Sequence, residues 1–399
     1  MSWVAKRLDQ LGTVSRGRSR HRPRDAAHLY GGPHPFIQTG DVKHAGLYIS
    51  GFSQTYTEAG LQQSKLWPAG TLCITIAANI ADTAILGIDA CFPDSVIGFI
   101  ADPTQSDARF VKYLFDATIK VRARQFSQGA TQDNLSQEKL LSLDFDIPPV
   151  VEQRRIADIL STYDDLIENN RRRMALLEES ARLLYREWFV RLRFPGYEHT
   201  PILDGVPQGW ERRTAFDSMQ VLSGGTPKTT VPDYWDGETP FFTPKDATDG
   251  IWVSACERSV TELGIKNCNS KLYPRETVFI TARGTVGKLN MAQIPMAMSQ
   301  SCYALVGKDH LSQRFVYSAM GAGVDALRQQ AVGAVFDAIV VDTFKRIKLM
   351  VPPASMLRLF DEAVTPVFDQ VENLASQNQK LRAARDLLLP RLMSGELTV

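Results

Sequence analysis

The chain has 399 residues, 44% apolar and 22% charged, with a formal net charge of +1. It is long enough for two or more domains with separate cores, and it has no run of about eighteen apolar residues that would span a bilayer. The start MSWVAKRLDQ lacks the apolar segment of a secretion signal, and five cysteines (Cys73, Cys91, Cys256, Cys268, Cys302) show no CxxC pairing, so a soluble, cytoplasmic protein with reduced thiols is expected.

A first globular region is expected over residues 1–147. It opens at Trp3, and SRGRSRHRPR then places Arg16, Arg18, Arg20, Arg22 and Arg24 together with no acid between them. Lys43 follows the strand-like PFIQ text. The runs TLCITIA (Thr71 to Ala77) and VIGFIA (Val96 to Ala101) read as strands, and Asp107 to Phe115 as a short helix.

At Pro148-Pro149 the pattern changes. Ile156, Leu160, Tyr163, Ile167, Asn170, Met174, Leu177, Ala181, Leu184 and Trp188 step by four and three, a heptad seam that predicts a helix over 148–192. Prolines suit a helix start, and Gly196 suits its end. A linker over 193–209 precedes a second globular region, 210–351.

That second region is written like the first. Trp3 to Gly17 is echoed by Trp210 to Gly225, PFIQTGDVKHAG from Pro35 by PFFTPKDATDG from Pro240, and SKLWPAGTLCIT from Ser64 by SKLYPRETVFIT from Ser270. ARFVKYLF (Ala108 to Phe115) pairs with QRFVYSAM (Gln313 to Met320), QGATQDNLS (Gln128 to Ser136) with VGAVFDAIV (Val332 to Val340), and Pro148-Pro149 with Pro352-Pro353. The offset stays near 205 throughout, the mark of an internal duplication. TVFITA (Thr277 to Ala282) and SCYALVG (Ser301 to Gly307) read as strands, and Gln313 to Gly321 as a short helix.

A second long helix is expected over 352–393, before a tail at 394–399 with Gly395. Adding 204 to the first seam gives Phe360, Val364, Val367, Val371, Leu374, Asn378, Leu381, Arg385, Leu388 and Leu392. Each helix of roughly 40 residues is about 60 Å long. One such helix alone would leave its apolar stripe wet, and the second copy would cover it. A globular region separates the two, so they can pack antiparallel with the heads at opposite ends. Pro366 falls inside the second helix and would kink it, unless the helix starts there. Asn170 and Asn378 either fix the register of the seam or simply face water.

Most catalytic chemistry lacks its residues here. DIPPV at Asp146 and LMVPPA at Leu349 have Ile or Val before the prolines, where a base-flipping methyltransferase needs a polar group, so helix initiation explains them better. RGTVGKLN from Arg283 has its glycines too close for a phosphate loop, and no Ser or Thr follows Lys288. PDYWDGE (Pro232 to Glu238) offers acids without a matching ExK. His21, His28, His34 and His44 lack zinc-ligand spacing.

Nucleic-acid contact remains. Arg16, Arg18, Arg20 and Arg22 lie in a loop aligned with SGGTPKTT, which offers Ser223, Gly224, Gly225, Thr226 and Lys228. Small residues there would let backbone N–H groups approach phosphates, with hydroxyls and cations completing the contact. Lys43 and Lys245 follow matched strands. Arg283 and Lys288 lie in a glycine turn whose counterpart holds Ala77 and Asp82, so the heads differ where they would read bases. Arginines that serve solubility alone are the alternative.

The arrangement resembles the DNA-specificity subunit of Type I restriction-modification systems along the whole chain. The resemblance rests on the Trp3 and Trp210 starts, the SGGTPK loop from Ser223, KLYPRETVFI from Lys271, the VEQRR text from Val151, the paired PPxxxQ-like helix starts and the closing LLLPRLMSGEL from Leu387. PASML (Pro353 to Leu357) lacks the Glu152-Gln153 pair, and SRGRSR alone stands opposite SGGTPK.

The likeness implies an α+β fold class, with two tandem, pseudo-repeated target-recognition domains and two long helices forming an antiparallel coiled coil. It also implies a subunit that performs no chemistry and binds no cofactor itself. Such a subunit would read a bipartite double-stranded DNA site with its heads held apart by the helices. It would recruit DNA methyltransferase subunits, two copies expected, and a restriction and translocation subunit, with S-adenosylmethionine, ATP and Mg2+ on those partners. Two other classes stay open: a self-contained enzyme with unfamiliar motifs, and a scaffold that never touches DNA.

Overall fold

The computed structural model describes residues 3–77, 80–120, 136–330 and 338–399. The QGATQDNLS and VGAVFDAIV match lies largely outside them. The chain packs as two compact units, one formed by residues 1–169 with 378–399, the other by 170–377. Both boundaries fall inside long helices, so each unit combines one head with part of each helix.

In the first unit, β-branched and aromatic runs give a five-stranded sheet. Its order is Gly12–Arg16, Val96–Ala101, Leu72–Thr75, Thr83–Leu86, Tyr48–Ile49. The first four pair antiparallel and the last pair is parallel. The second unit repeats this order with Met219–Ser223, Cys302–Gly307, Val278–Thr281, Leu289–Ala292 and Trp252–Val253, and again only the last pair is parallel. A smaller sheet is built around Tyr30–Phe36 in one unit and around Trp235–Phe242 in the other, and each strand carries a register shift at the same place.

The helices that follow differ. Asp107 caps Ala108–Ala117 by accepting from the Arg109 and Phe110 N–H groups, where the sequence reading put the helix. Its counterpart runs Gln313–Gln330, longer than the expected end at Gly321. Glycine normally weakens a helix interior, but a Cβ on Gly323 would come within 2.6 Å of Ile347 Cγ2. The small residue is what lets this helix pack closely.

The paired prolines do start helices. Val150–Tyr185 begins beside Pro149, whose carbonyl accepts from the Glu152 and Gln153 N–H groups. It continues as a π-helical turn over Arg186–Val190. Ala354–Met393 begins beside Pro353 and passes through Pro366 without interruption, so the helix does not start at that proline.

The seam needs a correction. Ile156, Leu160, Ile167, Asn170, Val371, Leu374 and Asn378 are buried, while Tyr163, Leu177, Leu184, Val367, Leu381 and Leu388 are half-buried. The second helix is not the only cover. Ile156 and Leu160 belong to the core of the first head with Leu72 and Phe110, and Phe360, Val364 and Val371 belong to that of the second head with Phe315 and Met291. An amphipathic helix in a globular protein carries an apolar stripe wider than a coiled-coil seam, and here head and helix share it.

Within each unit the helix segments run antiparallel. In the first, Asp164 meets Arg385 while Ile167 O accepts from Asn378 Nδ2 at 3.3 Å. In the second, Tyr185 and Trp188 pack on Phe360, while Ala181 and Phe368 share one cavity wall.

Glu178 of the second unit is mostly buried and accepts from Ile251 N at 3.1 Å. Burial, with Asp249 nearby, raises its pKa above the ordinary glutamate value. A raised carboxyl pKa stabilises the fold below the unfolded-state pKa, and that contribution is lost as pH rises through the folded-state value. Glu178→Gln keeps an acceptor for Ile251. The variant is expected to unfold at a higher temperature than the natural chain at neutral pH, and the gap should close as the pH falls through the carboxylate range. A gap independent of pH in paired melting curves would refute this.

Candidate nucleic-acid interface

In the first head the edge strand Gly12–Arg16 runs into residues 17–24. Gly17 N donates to Val96 O at 2.9 Å and Arg18 N to Phe92 O at 3.0 Å, while Ser64 Oγ and Gln63 Oε1 hold Arg18 O and His21 N. Gly17 and Ser19 are buried, and Arg16, Arg18, Arg20 and Arg22 are exposed. Extended backbone turns alternate side chains the same way, so a clamped main chain presents four arginines.

These arginines are not equivalent. Arg16 Nε donates to Asp94 O, Arg22 Nη1 to the Ser19 and His21 carbonyls, and Arg24 pairs with the Asp94 carboxylate at 2.9 Å. Arg18 and Arg20 have no side-chain hydrogen-bond or ion-pair partner among the described residues. Lys43 is likewise exposed, on the short helix Thr39–His44. Asp94 gave no sequence signal, because it reaches this segment only through the fold.

In the second head Ser223 ends the edge strand, and its carbonyl accepts from Tyr273 OH at 3.1 Å. The two glycines after it do not work as the sequence suggested. Gly224 N donates to Cys302 O and Gly225 N to Met298 O, and both residues are buried. A Cβ on Gly224 would lie 2.2 Å from Ser299 O, and one on Gly225 would lie 2.6 Å from Asn269 N. They are small so that strands can cross closely, and their N–H groups are already spent. Thr226 is half-buried and Lys228 is exposed.

Thr281 organises the other turn. Gly287 N donates to its carbonyl and Lys288 N to its hydroxyl, and Thr285 Oγ1 reaches Pro244 O at 3.0 Å. This brings the Arg283–Lys288 turn beside the turn bearing Lys245, where Thr243 donates twice to Asp246. The side chains of Lys228, Lys245 and Arg283 are exposed with no partner among the described residues, while Lys288 pairs with Asp249 at 2.8 Å. Strand pairing sets Thr281 opposite Cys302 and Ser223 opposite Tyr303. The loops after Ser223 and after Thr281 therefore leave one end of the sheet.

The first head builds the same turn on Thr75. Ala81 N and Asp82 N donate to its carbonyl and hydroxyl, and Ala81 and Gly287 both have positive φ. The geometry equates Lys288 with Asp82, which pairs with Lys120 at 2.8 Å. The ion pair at this turn is thus reversed between the heads.

The histidines are engaged locally. His34 Nε2 lies 2.7 Å from Glu58, His44 Nδ1 lies 2.8 Å from Gly40 O, and the His21 and His28 rings touch edge to face. No helix among the described residues is long and apolar enough to cross a membrane.

The family model described as the Type I restriction modification DNA specificity domain matches residues 1–179 and 207–382. The MjaIX specificity subunit, a Type I restriction enzyme protein of Methanocaldococcus jannaschii, is 25% identical over 410 residues, covering 100% of this chain and 94% of that one. The HindI specificity subunit of Haemophilus influenzae is 22% identical, covering 68% of this chain and 72% of its own. The crystal structure of the Type I S subunit from M. genitalium shares the fold, with a TM-score of 0.57 at 16% identity over 98% of this chain and 96% of that one. Two matched domain regions, each on a head of the same topology, settle the family: the chain belongs to the Type I restriction-modification DNA-specificity subunits, which recognise DNA sequence and leave catalysis to their partners.

Proposed function

We propose that the two heads each read one half of a split double-stranded DNA site, with the paired long helices as the spacer between them. The observation that carries this is the reversed turn. One scaffold offers exposed cations at the same sheet end twice, yet holds Lys288 in one copy and Asp82 in the other. Sequence is read through base edges, so a shared scaffold with different groups there suits two different half-sites. The helices would act as a ruler, because sites on one DNA face recur about every 34–36 Å.

The same reading gives the helices a second task, docking partner subunits. Ile159 and Leu166 in the first unit are exposed seven residues apart, as are Leu176, Leu183 and Val190 in the second. Exposed apolar rows of this kind mark protein contacts. Two methyltransferase copies carrying S-adenosylmethionine, and a restriction and translocation subunit using ATP and Mg2+, are the partners this reading requires. The chain itself would bind no cofactor.

The test is to co-purify the chain with its modification subunit and sequence adenine methylation in a host expressing both. Methylation at one split motif, with one half changed when residues 1–145 are exchanged for another head, is expected. A complex that assembles but methylates no defined motif would make the chain a scaffold.

A further inference from the structure

We propose that the buried Tyr113–Asp164–Arg385 cluster makes the two long helices of this chain select each other and reject the same helix of a second copy. Asp164, on the first helix, accepts from Tyr113 OH at 2.6 Å and pairs with Arg385 of the second helix, and its side chain is only 7% exposed. A buried carboxylate is tolerable when both its charge and its lone pairs are met, and here they are.

The duplication gives each member a counterpart. The helices repeat at an offset of 204, set by Pro148 with Pro352 and Ile156 with Phe360, so Asp164 corresponds to Phe368 and Arg385 to Ala181. The helix before repeats at 205, set by Arg109-Phe110-Val111 with Arg314-Phe315-Val316, so Tyr113 corresponds to Ser318. Ala181, Ser318 and Phe368 all line one cavity of about 460 Å³ in the second unit. Where the first unit sets a carboxylate against a guanidinium, the second sets Phe368 and Ala181 in an open cavity whose lining also includes Glu178, Lys288 and Arg328.

Neither helix therefore matches itself. First helix against first helix, in the same antiparallel register, would set Asp164 opposite Ala181. Second against second would set Arg385 opposite Phe368. The first mismatch buries the Asp164 carboxylate with no counter-ion, which costs far more than an apolar pair, and the second leaves Arg385 with its helix neighbour Asp386 alone, at 2.8 Å. Only the pairing of first with second satisfies both positions, as a single polar site does in partner choice between coiled coils. The rest of the seam is apolar in both helices except at Asn170 and Asn378, whose counterparts are Leu374 and Met174 and which add to the same selection, and during synthesis the first helix is complete before the second exists. A newly made first helix thus meets others like it before its partner. The inference does not depend on the heads reading DNA.

Full-length variants test it, all in a Tyr113→Phe background so that no hydroxyl is orphaned. Asp164→Phe recreates the second-helix mismatch, Arg385→Ala the first-helix mismatch, and the double variant recreates the pair found in the second unit. Each single change should lower the unfolding midpoint, and the double should recover most of the summed loss. If a single variant fails to fold, Ala181→Arg and Phe368→Asp transplant the charge pair into the second unit and are scored by the same cycle. Additive losses, or singles without loss, would overturn the proposal. After refolding at rising protein concentration, the Asp164→Phe, Arg385→Ala chain should also form a larger dimer fraction than the natural chain. An equal or smaller fraction would overturn it too.

Discussion

Replacing Arg18, Arg20, Lys228 and Arg283 together with alanine is expected to flatten the salt dependence of DNA binding by about 0.9 in the log–log slope for every phosphate that goes unneutralised. Affinity should fall by roughly 1.5 kcal/mol, about tenfold, for each charged hydrogen bond removed. These four are chosen because the fold leaves their side chains exposed and without partners among the described residues. Arg16 and Arg22 are held by carbonyl groups and Lys288 by Asp249. Single alanine substitutions at those positions should change the slope less, since part of their donor capacity is already committed. Binding of the assembled complex to a duplex containing its site, titrated at several salt concentrations, measures both quantities. A slope unchanged in the quadruple variant would remove these side chains from the DNA interface.

Much of the fold was legible because duplication and periodicity are local signals. Val96–Ala101 and Val278–Thr281 are strands because β-branched and aromatic side chains fit a pleated surface, here covered on both faces. Val150 and Ala354 open helices because proline fixes the entry and a 3.6-residue pattern follows. The cover of that pattern was not legible. Ile156 and Phe360 fit a heptad seam equally well whether the neighbour is a helix or a head, and spacing carries no trace of which one arrives.

The interface divides along the same line. Alternating arginines around Gly17 could be read directly, because extended backbone exposes every second side chain. Which of them stay available depends on Asp94, seventy residues from Arg24 along the chain. The reversal at Lys288 and Asp82 was visible in the alignment of the halves, and the Thr75 and Thr281 turns place both at one structural position. Gly224 and Gly225 mislead in sequence, because the same two residues suit a phosphate cradle and a tight crossing of strands. Only the partners of their N–H groups separate the two roles.

That crossing predicts a large loss of stability from a single methyl group. Gly17 and Gly224 stand at the same position in the two heads, directly after the edge strand of the main sheet. A Cβ on Gly17 would lie 2.4 Å from the Phe92 and Pro93 carbonyl oxygens, and one on Gly224 2.2 Å from that of Ser299. The obstacles are backbone atoms, so no side chain can rotate away, and the strand must separate from its neighbour to admit the methyl. Gly224→Ala is expected to destabilise its head by on the order of 3 kcal/mol. Gly40→Ala is the control: it lies in the helix Thr39–His44 with nothing within 4 Å of its Cβ, and there alanine should be neutral or stabilising by up to about 1 kcal/mol. A chain of two compact units need not unfold in one step, so amide hydrogen exchange of each edge strand is the appropriate measure. Gly224→Ala should expose Met219–Ser223 while Gly12–Arg16 keeps its protection, and Gly17→Ala should do the reverse. Equal loss in both strands would mean that the heads do not hold their edges independently.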